Sequence, residues 1–217
     1  FYGVTPQRCD YIEEVFSIPK EKVDFLPIGA DVDFAKLLPS RGVLLSKYGF
    51  KETDFIIVSG GKMGKGKGTD VLINVAKELY RENANFKLLL FGKFEDKETE
   101  LLALSSDFIK VEGWCDRQKT MEILKLASVA VWPIHHTTLV EDSIAVETPL
   151  ILRKTRTTEH LIYKNGIFIE KGNFGELLNA IKKVDKSFYL FKTACKSMQD
   201  QLSYESIAFK IKKDSGK

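Results

Sequence analysis

From Val23 onward, short apolar runs rich in β-branched and aromatic residues alternate with longer stretches whose apolar positions recur at helical spacing. That rhythm predicts repeated strand-helix units. The predicted strands are 23–26, 55–59, 86–91, 108–112, 129–133, 149–152 and 167–169. Between them, residues 70–80 place Val71, Leu72, Val75, Ala76 and Leu79 on one face of a helix. Residues 118–127 do the same with Met121, Leu124 and Ala127. Strands this short and apolar, each followed by a helix, suit a parallel sheet covered on both faces, so the pattern predicts a doubly wound α/β fold. The tail, 188–213, is a long helical pattern broken near Ser203, with a Lys-rich end polar enough to lie on a surface. No internal repeat or low-complexity tract interrupts the pattern.

Composition narrows the class without naming it. The 217 residues, 44% hydrophobic and 29% charged, are enough for one domain, or one domain with a docking segment, around a full core. The longest apolar runs have strand length and fall far short of a membrane-spanning helix, which needs about 20 residues. Thirty-three Lys and Arg against 30 acids leave a net charge of +3, too small to argue for nucleic acid as a partner. Cys9, Cys115 and Cys195 are odd in number and widely spaced, matching neither a metal signature nor a disulfide framework, so a reducing, cytoplasmic location is expected. The chain opens at Phe1 without a methionine and reads as a domain cut from a larger protein.

In doubly wound sheets ligands sit at the carboxyl ends of the strands, which directs attention to the loops after Ser59, Phe91, Glu112 and Pro133. The first is the most unusual: Gly60-Gly61-Lys62-Met63-Gly64-Lys65-Gly66-Lys67-Gly68-Thr69-Asp70 joins a strand to an amphipathic helix. Glycines let the backbone approach a bulky anion, and a helix start offers open amides. Lys62, Lys65 and Lys67 add positive charge, and a diphosphate is the expected ligand. A solvated lysine loop is the plainer reading, and a P-loop the sharper rival. Gly61 to Lys67 follows the P-loop spacing until Gly68 stands where a magnesium-binding Ser or Thr belongs, and the strand at 86–91 runs into Gly92-Lys93 instead of ending in Asp.

At this loop the sequence resembles the carboxyl-terminal domain of retaining GT-B glycosyltransferases of the glycosyl transferases group 1 type. That family carries an Arg or Lys after the glycines and then a Lys-Gly pair, matched by Lys62 and Lys67-Gly68. Val4-Thr5-Pro6 and Leu26-Pro27-Ile28-Gly29-Ala30-Asp31 resemble its inter-domain lead-in, and Val111-Glu112-Gly113 its F-x-G turn. Residues 127–133 are similar to its A-D-V-x-V-x-P strand, and Thr148-Pro149-Leu150-Ile151 to its G-x-P-V-I strand. The resemblance implies one Rossmann-like half of a GT-B fold: lead-in and first strand at 1–34, donor-binding domain at 35–186, helical segment at 187–217. It implies that Lys62 and Lys67 hold the donor diphosphate and favour the charge that develops as the sugar leaves, with Gly61 beside them.

In the family a loop and helix with two glutamates follow the strand that ends near Pro133. Counting back from Thr148-Pro149, Asp142 stands at the second glutamate, the expected acceptor for ribose hydroxyls, with Glu141 beside it. The loop is shorter than the family's, and His135 or His136 occupies the first glutamate's place. One imidazole is expected to bond sugar or phosphate while the other packs, and adjacent histidines with no Cys or third His nearby argue against a metal. Thr137 and Thr138 read as the cap region of the next helix, with Glu141 completing a capping box, and the amides of Thr138 and Leu139 can face the second phosphate as well. Gly113 and Trp114 either flank the base or, for Trp114, join the core. Glu159 stands near the end of the family's G-G-x-x-E segment or is a surface charge.

The sequence therefore predicts a glycosyltransferase domain that takes a nucleoside diphosphate sugar without a metal or other cofactor. Its acceptor is left open, and the acceptor site is expected on an amino-terminal domain that this chain lacks. The reading allows the full-length protein to associate peripherally with a membrane. The competing functions are a P-loop-like hydrolase and a non-catalytic Rossmann-like binding module.

Overall fold

A computed structural model describes residues 1–216. The chain starts with β1 (Tyr2–Gly3), α1 (Pro6–Phe16) and β2 (Asp24–Phe25), followed by α2 (Val32–Leu37) and α3 (Arg41–Tyr48). Helix α1 starts where the Thr5 hydroxyl accepts from the Arg8 amide and Pro6 supplies a preset φ. The main series is β3 (Phe55–Met63), α4 (Thr69–Glu82), β4 (Phe86–Phe94), α5 (Lys97–Leu104), β5 (Ile109–Val111), α6 (Arg117–Leu126) and β6 (Val129–Trp132). It continues as α7 (Leu139–Ala145), β7 (Leu150–Arg153), β8 (Gly166–Ile169), α8 (Phe174–Lys186), α9 (Phe188–Leu202) and α10 (Tyr204–Ser215).

Six strands form one parallel sheet in the order β5-β4-β3-β6-β7-β8. The chain builds outward from β3 in one direction and then from β6 in the other, which is the doubly wound, Rossmann-like arrangement and matches one half of a GT-B fold. Alternation along each strand feeds two cores. Ile56, Val58, Leu89, Ala130 and Leu150 pack with α3, α6, α7 and α9 on one face, while Ile57, Leu88, Leu90, Val131 and Ile151 pack with α4 and α8 on the other. Each Leu or Ile buried this way contributes about 1.5–3 kcal/mol, which is why strands apolar on both sides are stable here.

The structure corrects several boundaries. The predicted strand at 55–59 continues through Met63, and 86–91 continues through Phe94, because Gly60 to Met63 pair in register with Phe91 to Phe94. The predicted strand at 23–26 forms as β2 but pairs only with β1, outside the main sheet. Strands β7 and β8 are parallel neighbours joined by turns and not by a helix. Helices α1, α2, α3 and α5 escape the sequence pattern: α1 buries no residue, and the others span at most eight.

The tail folds back onto the domain. Phe191, Cys195, Met198 and Leu202 of α9 are buried, and Gln199 Nε2 donates to the Ala145 carbonyl at 2.7 Å. The break at Ser203 is a cap, its hydroxyl accepting from the Ser206 amide at 3.2 Å. Helix α10 buries nothing and reaches β2 and β1, with Lys210 Nζ on Asp24 at 2.5 Å and the Tyr2 hydroxyl donating to Asp214 at 2.9 Å. Among the described residues no helix is long and apolar enough to cross a membrane.

Candidate functional site

Strands β3 and β6 are neighbours, yet their continuations leave on opposite faces of the sheet, to α4 and α7 respectively. Loops that part in this way leave a crevice at the carboxyl end of the sheet. A cavity of about 360 Å³ occupies it, with Lys62, Lys67 and Thr69 on one wall and His135, His136 and Thr138 on the other. Trp132 Nε1 donates to the Gly60 carbonyl at 3.1 Å and ties the two strand ends together beneath it.

Two glycines of positive φ shape this wall of the crevice, and at Gly68 the approach is also close. Gly61 has φ +97°, and a Cβ there would lie 3.4 Å from Leu139 Cδ1 and 4.0 Å from Thr137 Oγ1. Gly68, at φ +73°, would place a Cβ 3.1 Å from Pro133 and Ile134. Both conformations lie in the left-handed region that side chains other than glycine adopt at a cost.

The three lysines have separate fates. Lys67 is half-buried and lines the cavity, and no carboxylate lies within ion-pair distance of it among the described residues. Lys62 lines the same cavity but its side chain is 74% exposed, with Glu95 at 3.9 Å. Lys65 is drawn away to Glu98 of α5 at 2.6 Å. The expected trio of unneutralised ammonium groups is therefore corrected to one unpaired and one weakly paired group.

The amides of the turn are also largely spent. Lys65 donates to Asp96 at 3.0 Å, Lys67 and Thr69 to the Gly64 carbonyl, and Gly68 to that of Lys65. The P-loop alternative fails on this geometry, since Gly61, Lys62 and Met63 are ladder residues of β3 and cannot wrap a phosphate. Open amides lie instead across the crevice, where neither Thr138 nor Leu139 donates a backbone hydrogen bond among the described residues.

The expected capping box does not form. Thr138 has helical dihedrals and its side chain caps nothing. Glu141, 3% exposed, turns to His136 Nε2 at 3.0 Å, and its second oxygen has no partner among the described residues. Behind His136 lies His160, half-buried and edge-on to Phe25 with ring centroids 4.9 Å apart, neither ring nitrogen finding a partner among the described residues. Burial, with a smaller effect of His136, pushes the His160 imidazole down to about 4. His135 is exposed at the cavity rim.

Asp142 does not line the cavity. Arg117 holds its carboxylate at 3.3 Å and reaches Asp31 of the lead-in motif at 3.0 Å, while burial raises the Asp142 carboxyl above its ordinary range. Arg117 went unnoticed in the sequence because its partners are remote; a lone Arg at a helix start carries no signal of its own. Gly113 accepts from the Gly92 amide at 2.5 Å, and Trp114 is 81% exposed, which removes the core reading of that residue. Glu159 pairs with Arg156, which also holds Asp10 of α1 at 2.7 Å. Among the described residues no group of three or more His, Cys, Asp or Glu side chains is placed to hold a metal ion.

Residues 41–188 match the family described as glycosyl transferases group 1. No curated protein sequence matches the chain. Solved structures share its fold. A glycosyltransferase from Rickettsia africae ESF-5 aligns at 15% identity and a TM-score of 0.79, over 98% of this chain and 61% of that one. HepE from Anabaena, in complex with UDP-glucose, aligns at 15% identity and 0.76, over 99% and 63%. Sucrose-phosphate synthase from Thermosynechococcus elongatus aligns at 17% identity and 0.76, over 98% and 56%. The chain thus spans less than two thirds of the length of these relatives.

Proposed function

Because this chain belongs to the glycosyl transferases group 1 family, we propose that it is the domain that binds a nucleoside diphosphate sugar for glycosyl transfer. One observation carries the reading: the end of β3 with Lys62 and the turn with Lys67 face the amino end of α7 across a crevice at the sheet's switch point. That crevice offers a cation on one side and open amides on the other, the pairing that suits a diphosphate. HepE, a structure of the same fold, is recorded with UDP-glucose, which favours a donor of that class.

In this reading the Lys67 ammonium and the Thr138 and Leu139 amides hold the diphosphate, with Lys62 at the rim. When the bond from the sugar's anomeric carbon to the terminal phosphate oxygen breaks, that oxygen gains negative charge. A fixed cation in a partly enclosed site favours this state over the intact donor. No metal is required, since the ammonium group supplies the positive charge. Retention of anomeric configuration is part of the proposal, and the resemblance to retaining members of the family supports it. His136, hydrogen-bonded to Glu141, is assigned to the sugar, and the exposed Trp114 to the base.

The acceptor is assigned to an amino-terminal domain outside this chain, so the fragment binds nucleotide and transfers little. Calorimetric titration of UDP, GDP and ADP into the 217-residue chain tests this. Binding of at least one of them, lost in Lys67→Glu and unaffected by a chelator, is the expected result. No heat from any of the three overturns the assignment.

A further inference from the structure

At the opposite end of the sheet from the crevice, a second hollow of about 290 Å³ lies between α3, α6, the end of α7 and α9. Arg41, Lys125 and Lys192 converge on it, each half-buried. Its position follows from Arg41, whose guanidinium donates to Ser128, the residue that precedes β6, at 3.1 Å. None of the three has a carboxylate within ion-pair distance among the described residues. Lys36 and Lys196 also line the hollow, but they are matched by Asp33 and Asp200. The remaining acid is Glu147. Three cations against one carboxylate leave the hollow positive.

Helix ends account for part of this. Lys125 Nζ donates to the Ala35 and Leu38 carbonyls at 3.0 Å, Arg41 Nε to that of Leu126 at 3.0 Å, and Lys192 Nζ to that of Glu147 at 2.6 Å. Each carbonyl lies in the last turn of α2 or α6 or just past the end of α2 or α7, where a cation is favoured. Capping explains why each helix end holds a cation, yet it does not require three of them to share one hollow. Their convergence carries a cost: burial lowers the pKa of all three groups, and Arg41 and Lys125 lower Lys192 further. Hydrogen-bonding capacity also remains. An ammonium has three N–H donors and a guanidinium five, so these bonds leave each group at least one unused.

We infer that this hollow binds a phosphate-class oxyanion, held by Arg41, Lys125 and Lys192, at a site separate from the donor crevice. A phosphate ester supplies several acceptor oxygens and the negative charge that the hollow lacks. Two sources fit that chemistry, a phosphorylated small molecule and a phosphomonoester headgroup at a membrane surface.

The test is the thermal unfolding of the 217-residue chain in rising inorganic phosphate, against chloride at equal ionic strength. A saturable rise of several degrees in Tm with phosphate alone is expected. It should persist in Lys67→Ala and vanish in Lys192→Met, with Lys125→Gln as a second probe should Lys192→Met fail to fold. Nucleotide binding should show the reverse dependence, which keeps the two sites' failures distinguishable. Co-sedimentation with phosphatidic acid vesicles, absent with phosphatidylcholine and lost in Lys192→Met, would assign the headgroup; a phosphate response without sedimentation would assign the soluble ligand. No saturable response in the parent chain, or one that survives Lys192→Met and Lys125→Gln, overturns the inference.

Discussion

The Nε2 atom of His136 lies 3.0 Å from Oε1 of Glu141, joining the loop after β6 to the first turn of α7 on the wall of the crevice. Glu141 is 3% exposed and its other oxygen is unpartnered among the described residues, so the imidazole supplies its hydrogen bond. Removing the imidazole leaves a buried acceptor unsatisfied, which costs roughly 1–3 kcal/mol. We expect His136→Ala to destabilise the chain by that amount. Adding Glu141→Leu should restore part of the loss, since an apolar side chain needs no partner. A double-mutant cycle by urea denaturation checks this, and additive losses would show that the pair is not coupled.

Lys67 is expected to dominate nucleotide affinity. A charge-assisted hydrogen bond contributes about 1.5–3 kcal/mol, so Lys67→Ala should weaken nucleoside diphosphate binding by roughly tenfold to a hundredfold. Lys65→Ala should change it little, because Glu98 holds that ammonium away from the cavity. Calorimetry on both variants decides the point. Equal losses would mean that the turn rearranges when the ligand binds.

Gly61 sits where a side chain is unwelcome. At φ +97° an alanine is strained by about 1–3 kcal/mol, although its Cβ would make only an ordinary contact with Leu139. Gly61→Ala should therefore lower stability by that amount and weaken nucleotide binding as the strained backbone beside Lys62 relaxes. Thermal melts paired with titrations read both effects.

His160 sets an acid limit on stability. Its imidazole falls from the ordinary 6.5 to about 4 in the fold, mainly through burial. Below 6.5 the unfolded chain takes up a proton that the native chain refuses until about 4, so stability declines as pH falls through that window. Above 6.5 both states leave the ring neutral and the residue adds no slope. His160→Phe, which keeps an aromatic ring beside Phe25, should flatten the decline. Urea midpoints measured from pH 7 to pH 4 test this, and an unchanged slope would rule out His160 as its source.

The legible parts of this protein are those set by neighbours along the chain. The continuous apolar runs at 55–59 and 86–91 announced parallel strands buried on both faces, and the helical spacing at 70–80 announced α4, because each signal lies in neighbouring residues whatever the rest of the molecule does. Gly61 and Gly68 could be read as places of close approach, since glycine is the residue that tolerates the required dihedrals. Where β3 and β4 stop was not legible, because Gly60 to Met63 look like a loop until β4 supplies their hydrogen-bond partners. Helix α1 was missed because it has no buried stripe to betray it.

The sequence alone determined the order of strands β3 to β8, helices α4 and α6, the glycine-lysine segment and the family, since these depend on local periodicity and on residue types at fixed intervals. Tertiary structure decided which charges are available. Lys65 is matched by Glu98, Asp142 by Arg117 and Glu141 by His136, while Lys67 keeps its charge for the cavity. It also gathered Arg41, Lys125 and Lys192, far apart along the chain, into one hollow. The reason is physical: an ion pair is fixed by separation in space and by access to water, and neither is encoded by spacing along the chain.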